Sequence, residues 1–260
     1  MKKSTSSYAL SKALIFTTFA LLMAFFTNQQ SMAQAYAIDL GSKSTGVQVA
    51  TDNMEQLNLN FSFSGVNAFA VETKKGEFNE IAIPGLFSTG KLGTPKLPAS
   101  QELIEVPFGA EVSVQVKNYT VTEYKLSEFG ITQKIMPNQP SIRKDQDVSE
   151  VAFEYNEKIY KTDSYIEPQL ASVEVLGVLR SYRIARLTVA PVSYNPVKGI
   201  LRVYNNVEVE VTFTNADAAL TDYIKSSTWS PYFQPVQNSL LNTLGGGYPE
   251  HPDLTTYPVK

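Results

Sequence analysis

From Leu57 the apolar residues fall on alternate positions, Leu57, Leu59, Phe61 and Phe63, which places them on one face of an extended chain. The same period returns at Val112, Val114 and Val116, with Glu111, Ser113, Gln115 and Lys117 turned the other way. It is cleanest at Val207, Val209, Val211 and Phe213. Shorter apolar runs over residues 81–83, 103–106, 131–136 and 173–179 are separated by Gly, Pro, Asn and Asp. Many short strands of this kind predict an all-β domain, an antiparallel β-sandwich or barrel-like fold whose inner faces bury the alternating residues.

Two segments break the period. Arg180, Arg183 and Arg186 recur every third residue among strand formers, which predicts a strand with a bulge. A partly buried arginine there needs a carboxylate, and Glu174 and Glu208 are the candidates. Ser230-Pro231 reads as a helix start, with Ser as N-cap and Pro at the first helical position. Val236, Leu240, Leu241 and Leu244 follow at helical spacing, so a short C-terminal helix is expected. Gly245-Gly246-Gly247 would end it and open a linker with three prolines, so that residues 245–260 lie outside the domain.

The N-terminus carries Lys2, Lys3 and Lys12 and no acid, then a 14-residue apolar stretch over 13–26 interrupted only by Thr17 and Thr18. Ala33-Gln34-Ala35 supplies the small residues of a cleavage site, so residues 1–35 are expected to be a signal peptide, cut after Ala35. The apolar stretch falls short of the ~20 residues needed to span a bilayer, and no cysteine is present for lipid attachment. The chain is therefore expected to meet the export machinery, to enter the periplasm and then to be secreted or reach the cell surface without a stable membrane anchor. Residues 36–56 are expected as a flexible lead and residues 57–244 as the β domain.

Loss of Lys2, Lys3 and Lys12 from the 22 basic residues leaves 19 against 25 acidic ones, a charge of −6. No basic face for nucleic acid is expected. The absence of cysteine excludes disulfides, thiolate metal sites and a cysteine nucleophile. The one histidine, His251, sits in the proline-bearing tail, a poor place to build a triad or a metal centre. Glu208 with Glu210, and Asp145 with Asp147, read as solvated surface charges, because neither pair has further ligands or an acid–base partner in view. The glycine run is followed by Tyr-Pro and is no phosphate loop. The 28 Tyr and Phe residues would suffice for a sugar-binding platform, but in a β domain such residues are usually core. No cofactor is implied.

More information lies in the segment Gly93-Thr94-Pro95-Lys96-Leu97-Pro98, followed by Ile104-Glu105-Val106-Pro107. A second segment runs from Leu176-Gly177-Val178-Leu179-Arg180-Ser181-Tyr182-Arg183 through Ala190-Pro191-Val192-Ser193-Tyr194-Asn195-Pro196 and Gly199-Ile200-Leu201-Arg202-Val203-Tyr204. Each proline in the first biases the preceding residue away from helix, fixing a turn and an extended entry. Tyr194-Asn195-Pro196 with Gly199 marks a hairpin-like connection, a feature that any sandwich would also use. In this order, and with Ser230-Pro231 behind them, these pieces resemble the N-terminal propeptide of gingipain-type cysteine peptidases secreted by Bacteroidetes. The likeness covers about residues 57–244.

That resemblance implies a β-sandwich prodomain that assists folding of a following cysteine peptidase, as an intramolecular chaperone, and inhibits it until cleaved. The partner would be the cognate peptidase domain, in cis or in trans; the catalytic Cys and His would lie in that domain, not in this chain. It also implies that a basic residue on a prodomain loop enters the specificity pocket of an Arg- or Lys-directed enzyme. The corresponding loop here is residues 137–148, with Arg143 as first choice and Lys144 as second. A guanidinium can bond a pocket acid bidentately, whereas an ammonium is a point charge on a flexible stem. The same loop also reads as an ordinary charged turn. Processing by a basic-specific enzyme is expected near Lys260 rather than Lys225, and the chain is expected to be part of a longer precursor. The alternative is a free-standing secreted or cell-surface sandwich that binds glycan or protein.

Overall fold

The computed structural model of the protein describes residues 35–147, 151–228 and 230–246. Twelve strands account for most of them: β1 Ala35–Asp39, β2 Gly46–Asp52, β3 Gln56–Ser62, β4 Gly65–Thr73, β5 Gly76–Ala82, β6 Phe87–Thr89, β7 Leu97–Glu105, β8 Glu111–Lys125, β9 Ala171–Leu179, β10 Tyr182–Val189, β11 Val192–Asn195 and β12 Ile200–Thr214. They pair antiparallel throughout, in sheets ordered β1-β4-β5, β6-β7-β10-β9 and β11-β12-β3-β2, with β8 added to β12. One core joins all three, from Ile38 and Ile81 through Leu97, Ile104 and Leu187 to Leu59, Phe61, Val209 and Val211. The fold is the expected antiparallel β-sandwich.

The period-2 reading is borne out at β3, β8 and β12. Leu57, Leu59 and Phe61 are buried against Val207, Val209, Val211 and Phe213. Val112, Val114 and Val116 are only half-buried, because β8 is an outer strand with β12 on one side. β12 is the central strand. β8 pairs with it along residues 200–214, so β11 (at 200–203) and β3 (at 207–212) share its other edge. The gap between them is filled by buried Asn205, whose side chain accepts from Phe63 N and Asn206 N and donates to the Leu40 and Phe63 carbonyls and to Ser42 Oγ.

Several expectations change. Residues 36–56 are no flexible lead: they form β1 and β2, with Ile38 in the core, too short and too interrupted by polar residues to show a period. The arginine segment is two strands, not one. Leu179 and Tyr182 pair across a tight hairpin whose turn holds Arg180 at φ 54°. The bulge exists but lies on β9, where Leu176 is the extra residue between the pairs Ile184–Gly177 and Ala185–Val175. Arg186 pairs with Glu174, whereas Glu208 accepts from Asn118. Residues 131–136 are extended without forming a full strand and make only a parallel bridge from Ile135 to Asn79. Tyr194-Asn195-Pro196 with Gly199 is the β11–β12 hairpin.

The helices are few. α1 is Glu157–Lys161, α2 Ala218–Ser227 and α3 Gln234–Gln237. α2 was not foreshadowed by any apolar stripe, since its buried residues are Thr221 and Lys225. The C-terminal helix is shorter than its spacing suggests: a 3-10 turn over Pro231–Phe233 leads into α3, and Leu240 and Leu244 are buried from beyond it. Leu241 N donates to Leu103 O of β7, so the backbone there serves the sheet in place of a longer helix. Residues 1–34, which hold most of the expected signal peptide, and the tail with His251 and Lys260 lie outside the described residues.

Candidate functional site

The loop singled out from the sequence projects from a base built by three separate segments. Residues 134–138 thread between β5 and the Gly93-Thr94-Pro95-Lys96 run. Asn79 N donates to Lys134 O and Met136 N to Asn79 O on one side; Lys96 N donates to Met136 O and Asn138 N to Thr94 O on the other, each at 2.8 Å. Gly93 then holds both arms of the loop. Its N–H donates to Asn138 O of the outgoing arm at 2.9 Å, and its carbonyl accepts from Asn156 N of the returning arm at 3.0 Å.

This explains the glycine of the motif. Gly93 has φ +75°, and a Cβ there would lie 3.1 Å from Asn156 N and 3.5 Å from the Tyr155 backbone. Only a residue without a side chain takes this conformation at low cost and lets the returning arm approach so closely. A second clasp lies one step outward. The Gln139 side chain donates from Nε2 to Glu154 O at 2.9 Å and accepts at Oε1 from Glu154 N at 3.0 Å, imitating a rung of antiparallel sheet. Asn138 Nδ2 adds a bond to Thr89 O at the end of β6.

Below the returning arm is an aromatic support. Tyr155 stacks on Tyr160 with ring centroids 4.5 Å apart, and Phe78 of β5 meets Phe153 and Tyr155 at 5.7 and 6.0 Å. Tyr160 is buried and donates its hydroxyl to Ile135 O at 2.7 Å. Burial holds that phenol far above its ordinary pKa, so it stays neutral and keeps its proton for the bond. Asn156 caps α1 by accepting from Ile159 N, fixing the direction in which the arm leaves.

Beyond the clasps, residues 141–147 are all exposed. Gln146 N donates to Arg143 O at 3.1 Å, closing a β-turn with Lys144 and Asp145 at its centre. Arg143 Nε lies 3.4 Å from Asp145 Oδ1, and its side chain is 78% exposed. The two predicted residues thus share one tip but differ in setting. Arg143 begins the turn beside an acid, and Lys144 stands at its apex.

Elsewhere the sequence candidates resolve as surface or scaffold. Glu210 pairs with Lys117. Asp145 serves Arg143, and among the described residues no group of three His, Asp or Glu side chains is placed to hold a metal. Ala35 is the exposed first residue of β1, paired with Phe69. Lys225 is fixed in the last turn of α2, with its ammonium 3.0 Å from the Glu105 carboxylate. What sequence reasoning missed is the base: Gly93, Asn138 and Gln139 lie apart or look like turn residues, and the hydrogen bonds that tie the motif to the loop leave no mark in the sequence beyond the glycine itself.

Comparison with known proteins bears on the chain as a whole. The family model Propeptide_C25 matches residues 42–228. Lys-gingipain of Porphyromonas gingivalis is 40% identical over 228 residues, covering 88% of this chain but 13% of that protein. Gingipain R2 of the same species is 22% identical over 228 residues, covering 87% of this chain and 30% of its own length. The chain thus spans about an eighth of the curated relatives it matches first. Among solved structures, one described as "Structural insight into zymogenic latency of gingipain K from Porphyromonas gingivalis" superposes with a TM-score of 0.67 at 41% identity, covering 70% of this chain and all of that one. Another, "Complex of Porphyromonas gingivalis RgpB pro- and mature domains", gives 0.60 at 20% identity over 75% of this chain and 96% of that one, a likeness of fold.

Proposed function

The chain belongs to the Propeptide_C25 family, and from that premise we propose that it is the inhibitory, fold-assisting propeptide of a gingipain-type cysteine peptidase carried on the same precursor. The observation that carries this reading is the double-clasped loop, which holds an exposed basic tip away from the body. An inhibitor must fill a specificity pocket without being consumed, and a tip held at its base loses little freedom on binding. The chain itself contains no cysteine and one histidine, so the chemistry belongs to the partner domain.

Within the loop, Lys144 is the residue that enters the pocket. The sequence alone favours Arg143, but the turn supports the reverse order, because Lys144 is at the apex while Arg143 is drawn to Asp145. The relative at 40% identity is named for lysine, which agrees. The rings nearest the loop, Phe78, Phe153, Tyr155 and Tyr160, pack on one another and offer no open platform to a glycan there.

Residues 1–35 act as an export signal, and cleavage after Ala35 leaves Tyr36 to continue β1. Lys225 is a poor processing site, since proteases need an exposed extended segment, and Lys260 is the better candidate. The deciding experiment measures inhibition of the precursor's mature peptidase by the chain. Lys144→Ala should raise the inhibition constant by roughly a hundredfold, an effect of about 2–3 kcal/mol for a buried charge-assisted contact, and Arg143→Ala by much less. A chain that does not inhibit ends the propeptide reading; equal inhibition by both variants ends the loop assignment alone.

A further inference from the structure

Helix α2 is turned inside out. Its two buried positions are polar: Thr221 Oγ1 accepts from Phe108 N, and Lys225 reaches Glu105. Two of its large apolar side chains face solvent, with Leu220 41% and Tyr223 68% exposed, while Ile224 is half-buried. Beside it, the β9–β10 hairpin tip is bonded to the end of the helix, through Arg180 Nε to Thr228 O at 2.9 Å and the Ser181 and Thr228 hydroxyls at 2.7 Å. Arg180 also lies over Phe233, whose neighbour Tyr232 is 88% exposed. β9 is the outer strand of its sheet, and from Val175 to Leu179 it carries four exposed apolar residues and no charge.

We propose that this apolar belt, from the β9 edge past Tyr232 to α2, is a docking face for the peptidase domain of the same precursor, separate from the basic loop. The proposal rests on the propeptide reading. Open strand edges and exposed apolar patches are pairing sites, and here Glu174 and Arg180 bracket the apolar run of β9 without interrupting it. The position of the chain exit selects the occupant. Gly246 and Thr243 line a groove of about 470 Å³ together with Tyr223 and Ser226 of α2, so the chain leaves the described fold against this face.

A domain carried downstream on the same precursor is tethered through this exit and is therefore held near the belt, at an effective concentration that for a short linker reaches the ~mM range, where a modest apolar face suffices. The belt and the loop lie at opposite ends of β7: Thr94 bonds the loop just before Leu97, and Glu105 at the far end bonds α2. Nine residues of strand separate them by roughly 27–30 Å. Two contacts so far apart fix the partner's orientation, which a single loop does not.

The test immobilises the precursor's mature peptidase, its active-site cysteine blocked covalently, and measures binding of the chain by surface plasmon resonance. Val178→Lys on the β9 edge and the double variant Leu220→Ser with Tyr223→Ser should each raise Kd at least about tenfold with no change in melting temperature, since all three side chains are exposed. In the wild-type complex, hydrogen exchange should slow at residues 175–179 and 218–227. Unchanged Kd in both variants, or no protection in either segment, overturns the docking face while wild-type inhibition leaves the propeptide reading standing. A wild-type chain that neither binds nor inhibits removes both.

Discussion

Lys225→Met should destabilise the fold strongly at neutral pH and less so in acid. Glu105 is 2% and Lys225 10% exposed at the side chain, and the ammonium lies 3.0 and 3.2 Å from the two carboxylate oxygens. Removing the cation leaves a buried carboxylate uncompensated, at a cost of about 3–5 kcal/mol. For a chain of this size that corresponds to a fall of ~10 °C in melting temperature, measured by circular dichroism near pH 7. Burial raises the Glu105 carboxyl above its ordinary value of 4.5, desolvation outweighing the attraction of Lys225. The folded state therefore holds that proton more tightly than the unfolded one. Its contribution to stability is complete below the unfolded value and is lost as pH rises through the raised one. The deficit of the methionine variant should accordingly shrink on acidification toward pH ~4.5, as the raised Glu105 carboxyl takes up its proton. Adding Glu105→Gln should restore most of the loss at neutral pH, because a pair replaced by groups of similar shape leaves no orphaned charge. A Lys225→Met protein melting within ~2 °C of wild type near pH 7, or showing the same deficit near both pH values, would refute this account.

Two further substitutions probe the scaffold. Asn205→Ala removes the side chain that satisfies Phe63 N and the Leu40 and Phe63 carbonyls between β3 and β11, and should cost about 2–4 kcal/mol in urea denaturation; a loss below ~0.5 kcal/mol would mean that water takes its place without penalty. Gly93→Ala imposes a left-handed backbone worth roughly 1–2 kcal/mol on a residue with a Cβ, 3.1 Å from Asn156 N. It should weaken inhibition more than it lowers the melting temperature, and wild-type inhibition by this variant would detach the motif from the loop.

Legibility in the sequence followed the regularity of burial. β3 and β12 are buried on one face along their length, so alternation marks them without ambiguity. β8 fades from view after Lys117 because its second half has both faces toward water, and strand pairing with β12, invisible in one sequence, holds it extended to Lys125. The arginine triplet failed for a different reason: a two-residue hairpin at Arg180-Ser181 has no glycine, and the residue at positive φ is an arginine. α2 escaped notice because periodicity detects apolar burial, and this helix is docked by a threonine and a lysine.

The candidate site was half legible for a related reason. Exposed charges at a loop tip are visible as composition, whereas the forces that aim them are backbone hydrogen bonds among residues 79, 93–96, 134–139 and 154–156. Closing a flexible loop costs entropy that grows only slowly with its length, so fixing its base matters more than shortening it. Gly93 fixes both arms through the N–H and carbonyl of a single residue, and Gln139 repeats the clasp with a side chain. With that cost met during folding, less of the energy of the tip in a partner's pocket is spent on bringing the two arms together. The Gly-Thr-Pro motif and the basic turn, some fifty residues apart in the chain, are one device in space but are expected to vary separately: a partner with a different pocket needs a new residue at 144, but the same glycine at 93.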